Sequence, residues 1–260
     1  MVTSGLSTLS ATLVLAVMMV APASATTVFP EQFTCPIGGE VFEDYVIGSF
    51  SSFGQRPDGR AYGTLPVYPL VECPGNGFLL FEKEFTAEEA ALLTPAVGSA
   101  EYQAMRQSET SYYRAWWLMR ALGRPPEALA SALLAASWES DDDAPRKARY
   151  QRAFVEAADQ ISPTAEDWFY YNLRAANALR ELARFEDAEH RLRVLEASDA
   201  WPADPDERGG ARFLFDGLRL LVAESNSHAE PDQPDPTHGG SQTVHRRRCR
   251  ALPGRADCLR

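Results

Sequence analysis

Residues 182–188 read Leu182-Ala183-Arg184-Phe185-Glu186-Asp187-Ala188. One helix ends at a small residue, a short turn follows, and a second helix opens on an acid before Ala188. A small side chain at Ala188 lets the two helices approach closely. Leu192 and Leu195, one and two turns further on, continue the shared seam. The same arrangement occurs at Leu122-Gly123-Arg124-Pro125-Pro126-Glu127-Ala128, followed by Ala132 and Ala135. Two antiparallel helical hairpins are therefore expected.

Working outward, Thr86-Ala87-Glu88-Glu89 is a capping box, so helix begins there. Helical texture then continues to about Ser225. Gly98-Ser99 opens one segment, Glu109–Leu122 follows, and Pro125–Trp138 comes next. Asp141-Asp142-Asp143 is placed to cap a helix running to about Gln160. Ser162-Pro163 is expected to start another, with Pro at its first position, and Phe185–Ser198 answers it. A Pro- and Asp-rich loop, Asp199–Asp206, precedes a last helix over Glu207–Glu224. The hairpins resemble the tetratricopeptide repeat, whose unit is about 34 residues. Ala128 and Ala188 are 60 residues apart (188 − 128), with an extra helix between them. The resemblance therefore covers the hairpins and not a regular array.

Residues 26–85 differ in texture. Val41–Phe53 and Tyr62–Glu72 read as short strands, and Gly77–Phe85 as a third. Arg56-Pro57-Asp58-Gly59-Arg60 between them is a turn signal, and Arg56, Asp58 and Arg60 are expected to be solvated there. The fold class is thus mainly α: a small β module followed by tetratricopeptide-like antiparallel hairpins. The units are 1–25, 26–85, 86–225 and a tail at 226–260 that lacks apolar periodicity and is expected to be disordered.

Composition bounds the function. The 260 residues carry a net charge of −11. Residues 242–260 hold six arginines and one acid, so the remainder stands at 19 basic against 35 acidic residues. An acidic body argues against nucleic acid as a partner, because phosphate contacts need clustered Lys and Arg. Ala11–Ala21 is apolar and too short to span a bilayer, which takes about 20 residues. Ala23-Ser24-Ala25 follows as a small-x-small cleavage pattern. A signal peptide over 1–25, a mature start at Thr26 and a periplasmic or secreted location are expected, without stable membrane insertion after cleavage.

Export changes the reading of the cysteines. CPIGG starts at Cys35 and CPGNG at Cys73. Each is half of a zinc knuckle, with Gly38 and Asn76 standing where a second cysteine would be. The order of knuckle, strands, knuckle and then YYRAWWLMRALG (Tyr112–Gly123) resembles an uncharacterised bacterial family with two Cys-x-x-Cys knuckles followed by tetratricopeptide-like helices. The likeness covers roughly residues 33–200. Members with all four cysteines would be expected to bind zinc. Structural zinc takes four ligands, and the four histidines all lie beyond residue 189, so no metal is carried over. Two knuckles that once faced one ion would instead bring Cys35 and Cys73 together, and a disulfide between them is expected in an oxidising compartment. Whether Cys249 and Cys258 pair is left open.

No catalytic motif stands out. His190 beside Glu186 and Glu189 reads as a solvated helix face, and Asp141–Asp143 as a cap and not a calcium loop. No cofactor is implied. Tyr112, Trp116 and Met119 form one stripe on a helix, and Tyr113, Trp117 and Arg120 a neighbouring one. Plain core explains most of this. The sharper reading has Tyr113, Trp117 and Arg120 lining a groove, joined by Asn177 and Arg180 from the corresponding later helix, to take a protein or peptide segment. A non-catalytic interaction or scaffolding protein is the expected class. An enzyme with a site assembled from distant residues, or a metal binder completed by a partner, are the alternatives.

Overall fold

The structure is a computed structural model that describes residues 26–63 and 67–230. The segment expected to be a signal peptide, most of the tail, and Cys249 and Cys258 lie outside the described residues. Two antiparallel hairpins come first, β1 (Thr27–Thr34) with β2 (Val41–Ser49), and β3 (Ser52–Gln55) with β4 (Ala61–Gly63). Eight helices follow: α1 (Ala87–Val97), α2 (Ala100–Ser108), α3 (Ser111–Ala121), α4 (Pro126–Glu139), α5 (Ala144–Ala158), α6 (Trp168–Glu181), α7 (Phe185–Ala197) and α8 (Pro205–Ala223). From α3 onward each helix packs against the next, antiparallel, in a single stack.

The two half-knuckles are the same turn built twice. Cys35 N–H donates to Glu40 O at 2.8 Å and Gly39 N–H to Cys35 O at 3.1 Å. At the second, Cys73 N–H donates to Phe78 O at 2.8 Å and Gly77 N–H to Cys73 O at 2.9 Å. The flanking pairs also correspond: Thr34 faces Val41 and Glu72 faces Leu79. Gly39 and Gly77 hold φ of +69° and +78°, a region that costs a side-chain-bearing residue roughly 1–2 kcal/mol. The cysteines are joined as a disulfide, with Cα atoms 5.7 Å apart. Asn76 bridges the two knuckles. Its Nδ2 donates to Ile37 O at 2.7 Å while its Oδ1 accepts from Phe78 N–H at 2.8 Å.

Several sequence expectations are corrected here. A strand, β1, precedes the first knuckle, which is therefore the turn of the β1–β2 hairpin. The long Val41–Phe53 strand is two strands broken at Phe50–Ser51, and among the described residues of Tyr62–Glu72 strand is confined to Tyr62 and Gly63, with Glu72 in an isolated bridge. Gly77–Phe85 is not a strand beyond the Glu72–Leu79 bridge. Its rings fold inward instead, Phe85 lying edge-on to both Phe78 and Phe81 with centroids 5.0 Å apart. They join Cys35, Cys73, Leu93, Val97, Tyr102 and Leu118 in a core that ties the knuckles to α1–α3.

The helical punctuation follows its chemistry. Thr86 and Glu89 exchange both capping-box hydrogen bonds, at 2.9 and 3.2 Å. Asp143 caps α5 through Arg146 N–H at 3.1 Å. Gly123 and Ala183 both adopt left-handed conformations, φ +65° and +58°. Each is followed by a bond reaching back around the helix end, Arg124 N–H to Met119 O and Arg184 N–H to Leu179 O, the glycine-type C-terminal stop. α8 ends the same way, with Ser225 at φ +52° and Asn226 N–H on Leu221 O. Ser162-Pro163 does not start a helix. Ser162 makes a turn with Thr164 and Ala165, and α6 begins at Trp168. A second, larger core runs through α4–α8, centred on Leu133, Phe154, Phe169, Leu192 and Phe215. Among the described residues no helix is long and apolar enough to cross a membrane.

Candidate functional site

Because the helices of the stack alternate in direction, α4, α6 and α8 end at one edge, where α5 begins. The tip of the β3–β4 hairpin docks there. The Arg56–Arg60 turn is closed by Arg56 N–H on Arg60 O and Gly59 N–H on Arg56 O, at 2.7 and 2.9 Å. It is not solvated: Arg56 is 2% exposed and Asp58 4%. A hairpin tip becomes buried when a charged surface complementary to it is available, and the helix ends supply one. Arg56 chelates Asp58 within the turn and reaches Asp141 of the α4–α5 loop at 2.6 and 3.2 Å. Arg60 also pairs with Asp141. Lys147 on α5 bonds Asp141 at 2.8 Å and Glu181 on α6 at 3.1 Å. Gly59 sits against Arg174, whose Nε would be 2.7 Å from any Cβ there.

The network continues inward along α6. Asn177 Nδ2 donates to Glu181 at 2.8 Å, and Asn177 Oδ1 accepts from Arg180 Nε and Nη2 at 2.9 and 2.8 Å. Arg180 is fully buried. Its Nη1 donates to the backbone carbonyls of Asn226 and His228, at 2.6 and 2.8 Å, in the segment leaving α8. Glu230 on that segment closes the ring, 3.5 Å from Arg56.

The electrostatics follow from burial and pairing. Burial pulls the Arg56 guanidinium down, but the Asp58 and Asp141 hydrogen bonds outweigh it and hold it above its ordinary value. Burial pushes the Asp141 carboxyl up, and the bonds from Arg56 and Lys147 more than offset this, leaving it low. Arg180 differs. Burial dominates and lowers it, with Glu181 opposing.

The five groove candidates distribute as follows. Tyr113 is half-buried, stacked on Tyr150 at 4.5 Å against the larger core. Trp117 faces the other core, 5.8 Å from Tyr102. Arg120 is exposed, its guanidinium 4.8 Å over the Trp116 ring. Asn177 and Arg180 are fully buried and engaged with each other and with the 226–228 backbone. The five thus do not present one common surface, since two of them lie inside the stack. His190 is exposed on a cleft of about 450 Å³ between α5, α6 and α7, beside Arg152, Asp159 and Arg191. Asp143 is the cap expected of it, whereas Asp141 is the hub of the network. The edge network was missed from sequence because its members come from four separate segments. One local signal existed: Asn177 and Arg180 continue the inward Leu173–Ala176 face of α6, so polar groups occupy core positions and need buried partners.

No protein family, curated protein or solved structure matches the chain. What the residues define is a small two-hairpin β module, cross-linked by Cys35–Cys73, followed by eight packed helices.

Proposed function

We propose that the chain is an exported, non-catalytic interaction or scaffolding protein whose helical domain binds a segment of a partner protein. One observation carries the reading: Arg180 already grips the backbone carbonyls of Asn226 and His228. Main-chain contacts of this kind can be reproduced by the backbone of another chain. The disulfide is consistent with an oxidising compartment, as the signal-peptide reading requires. The matched knuckles favour descent from a zinc-binding ancestor, as the family resemblance implies. On α3, Arg120 is exposed over the Trp116 ring, a cationic and aromatic pairing of the kind common at binding surfaces.

The test begins with crosslinking in the native compartment and identification of the joined partner. The purified partner is then titrated against wild type, Arg120→Ala and Trp117→Ala. A loss of about tenfold or more in Arg120→Ala, at unchanged melting temperature, is the expected result. Unchanged affinity in both variants would refute an α3 surface. An N-terminal peptide starting at Thr26 checks export.

A further inference from the structure

We infer that Asn226–Glu230 is an intramolecular ligand, occupying a site that an acidic peptide making the same Asn-led turn takes in exchange when a partner supplies it. The inference deepens the proposed function by naming the site and its ligand chemistry, and it rests on that reading.

Three features of the segment support it. It is held by its main chain in one turn: Asn226 Oδ1 accepts from His228 N–H at 3.0 Å, which brings the carbonyls of residues 226 and 228 onto one guanidinium nitrogen, and a peptide that opens on Asn can make the same turn. Ser227 and His228 are exposed, so the side chains that matter are Asn226, which closes the turn, and Glu230, which faces Arg56. A strap held this way exchanges without disturbing either core. Its origin is also fixed. Ser225 at φ +52° stops α8 and turns the chain back across the end of α6.

Charge sets the ligand class. The ion-paired groups of the network are four cations, Arg56, Arg60, Lys147 and Arg180, and four carboxylates, Asp58, Asp141, Glu181 and Glu230. Glu230 is the one carboxylate the strap supplies. Without it the site holds four cations against three anions. A peptide that replaces the strap must therefore bring a carboxylate four residues after its first gripped carbonyl. Arg180 makes this an exchange and not an opening. Its Nη1 is seen to bond only the two strap carbonyls and its guanidinium is fully buried. Leaving Nη1 without acceptors costs more than substituting new ones.

The probe is the capped peptide acetyl-Asn-Ser-His-Ala-Glu-amide, labelled with a fluorophore, titrated into full-length chains by anisotropy. Glu230→Lys sets a cation against Arg56 at an exposed position, so it loosens the strap without threatening the fold. The peptide should bind Glu230→Lys at least fivefold more tightly than wild type. Replacing its Glu by Gln should remove most of that gain. A photoreactive version should label the 56–60 tip or α6. Equal affinity for both chains, indifference to the peptide's carboxylate, or labelling elsewhere overturns the strap while leaving the α3 surface to its own partner test. No binding to a folded Glu230→Lys chain also overturns it.

Discussion

Arg56→Met tests whether the hairpin tip is truly docked. In wild type the Arg56 guanidinium serves Asp58, Asp141 and Glu230. Its loss leaves Asp141 with Arg60 and Lys147. Asp58 fares worse. It stays 4% exposed, with the Arg60 backbone N–H at 3.0 Å as its remaining donor. Breaking a buried pair by removing one partner costs about 3–5 kcal/mol. For a chain of this size 1 kcal/mol moves the melting temperature by about 2–4 °C, so a drop of roughly 6–20 °C is expected by circular dichroism. Arg56→Met with Asp58→Leu removes the stranded carboxylate as well and should recover most of the loss, since apolar replacements of buried pairs are often neutral. A solvated turn would behave differently: exposed ion pairs are worth about 0–1 kcal/mol. A single variant within about 1 kcal/mol of wild type in urea titration would refute the docked tip.

Other outcomes follow from the same structure. Replacing Cys35 and Cys73 by Ala opens a loop spanning 38 positions and should cost about 4 kcal/mol in the loop-entropy treatment, read as the difference in urea stability from the oxidised chain. Ala183→Gly should stabilise by about 1 kcal/mol, because Ala183 sits at φ +58° where its counterpart Gly123 sits at +65° and glycine carries no penalty there; a destabilised variant would contradict the helix stop. Acid should weaken the edge network. Asp141 has a folded pKa below its ordinary 3.8, so its contribution is complete above that value and is lost as pH falls through the folded one. Urea midpoints of Asp141→Asn should be lower at neutral pH and flatter below pH 3.8 than those of wild type.

Legibility tracked how local each determinant is. The capping box at Thr86 and the paired stops at Gly123 and Ala183 are written in adjacent residues, and the helices fall where those signals place them. The disulfide was legible because two matching turns flank one short module. Ser162-Pro163 misled because Pro suits a turn as well as a first helical position. The GFLLFEKEF stretch misled because its aromatics satisfy a knuckle core as readily as a strand face. Docking of RPDGR against Asp141 could not be read from either segment. Opposite charges some 80 residues apart, 81 between Arg60 and Asp141, identify each other only after the stack has brought the ends of α4, α6 and α8 to one edge.

The two knuckles carry a last consequence. Metal-closed turns answer to the concentration of an ion, and chelators undo them. These two turns are joined by a covalent bond whose formation takes electrons away, so the stability of the N-terminal core follows the redox state of its surroundings. The same polypeptide is therefore two materials. With reduced thiols it lacks the cross-link between its knuckles and is easier to unravel. Oxidised, it keeps that link through every excursion of the helices beside it.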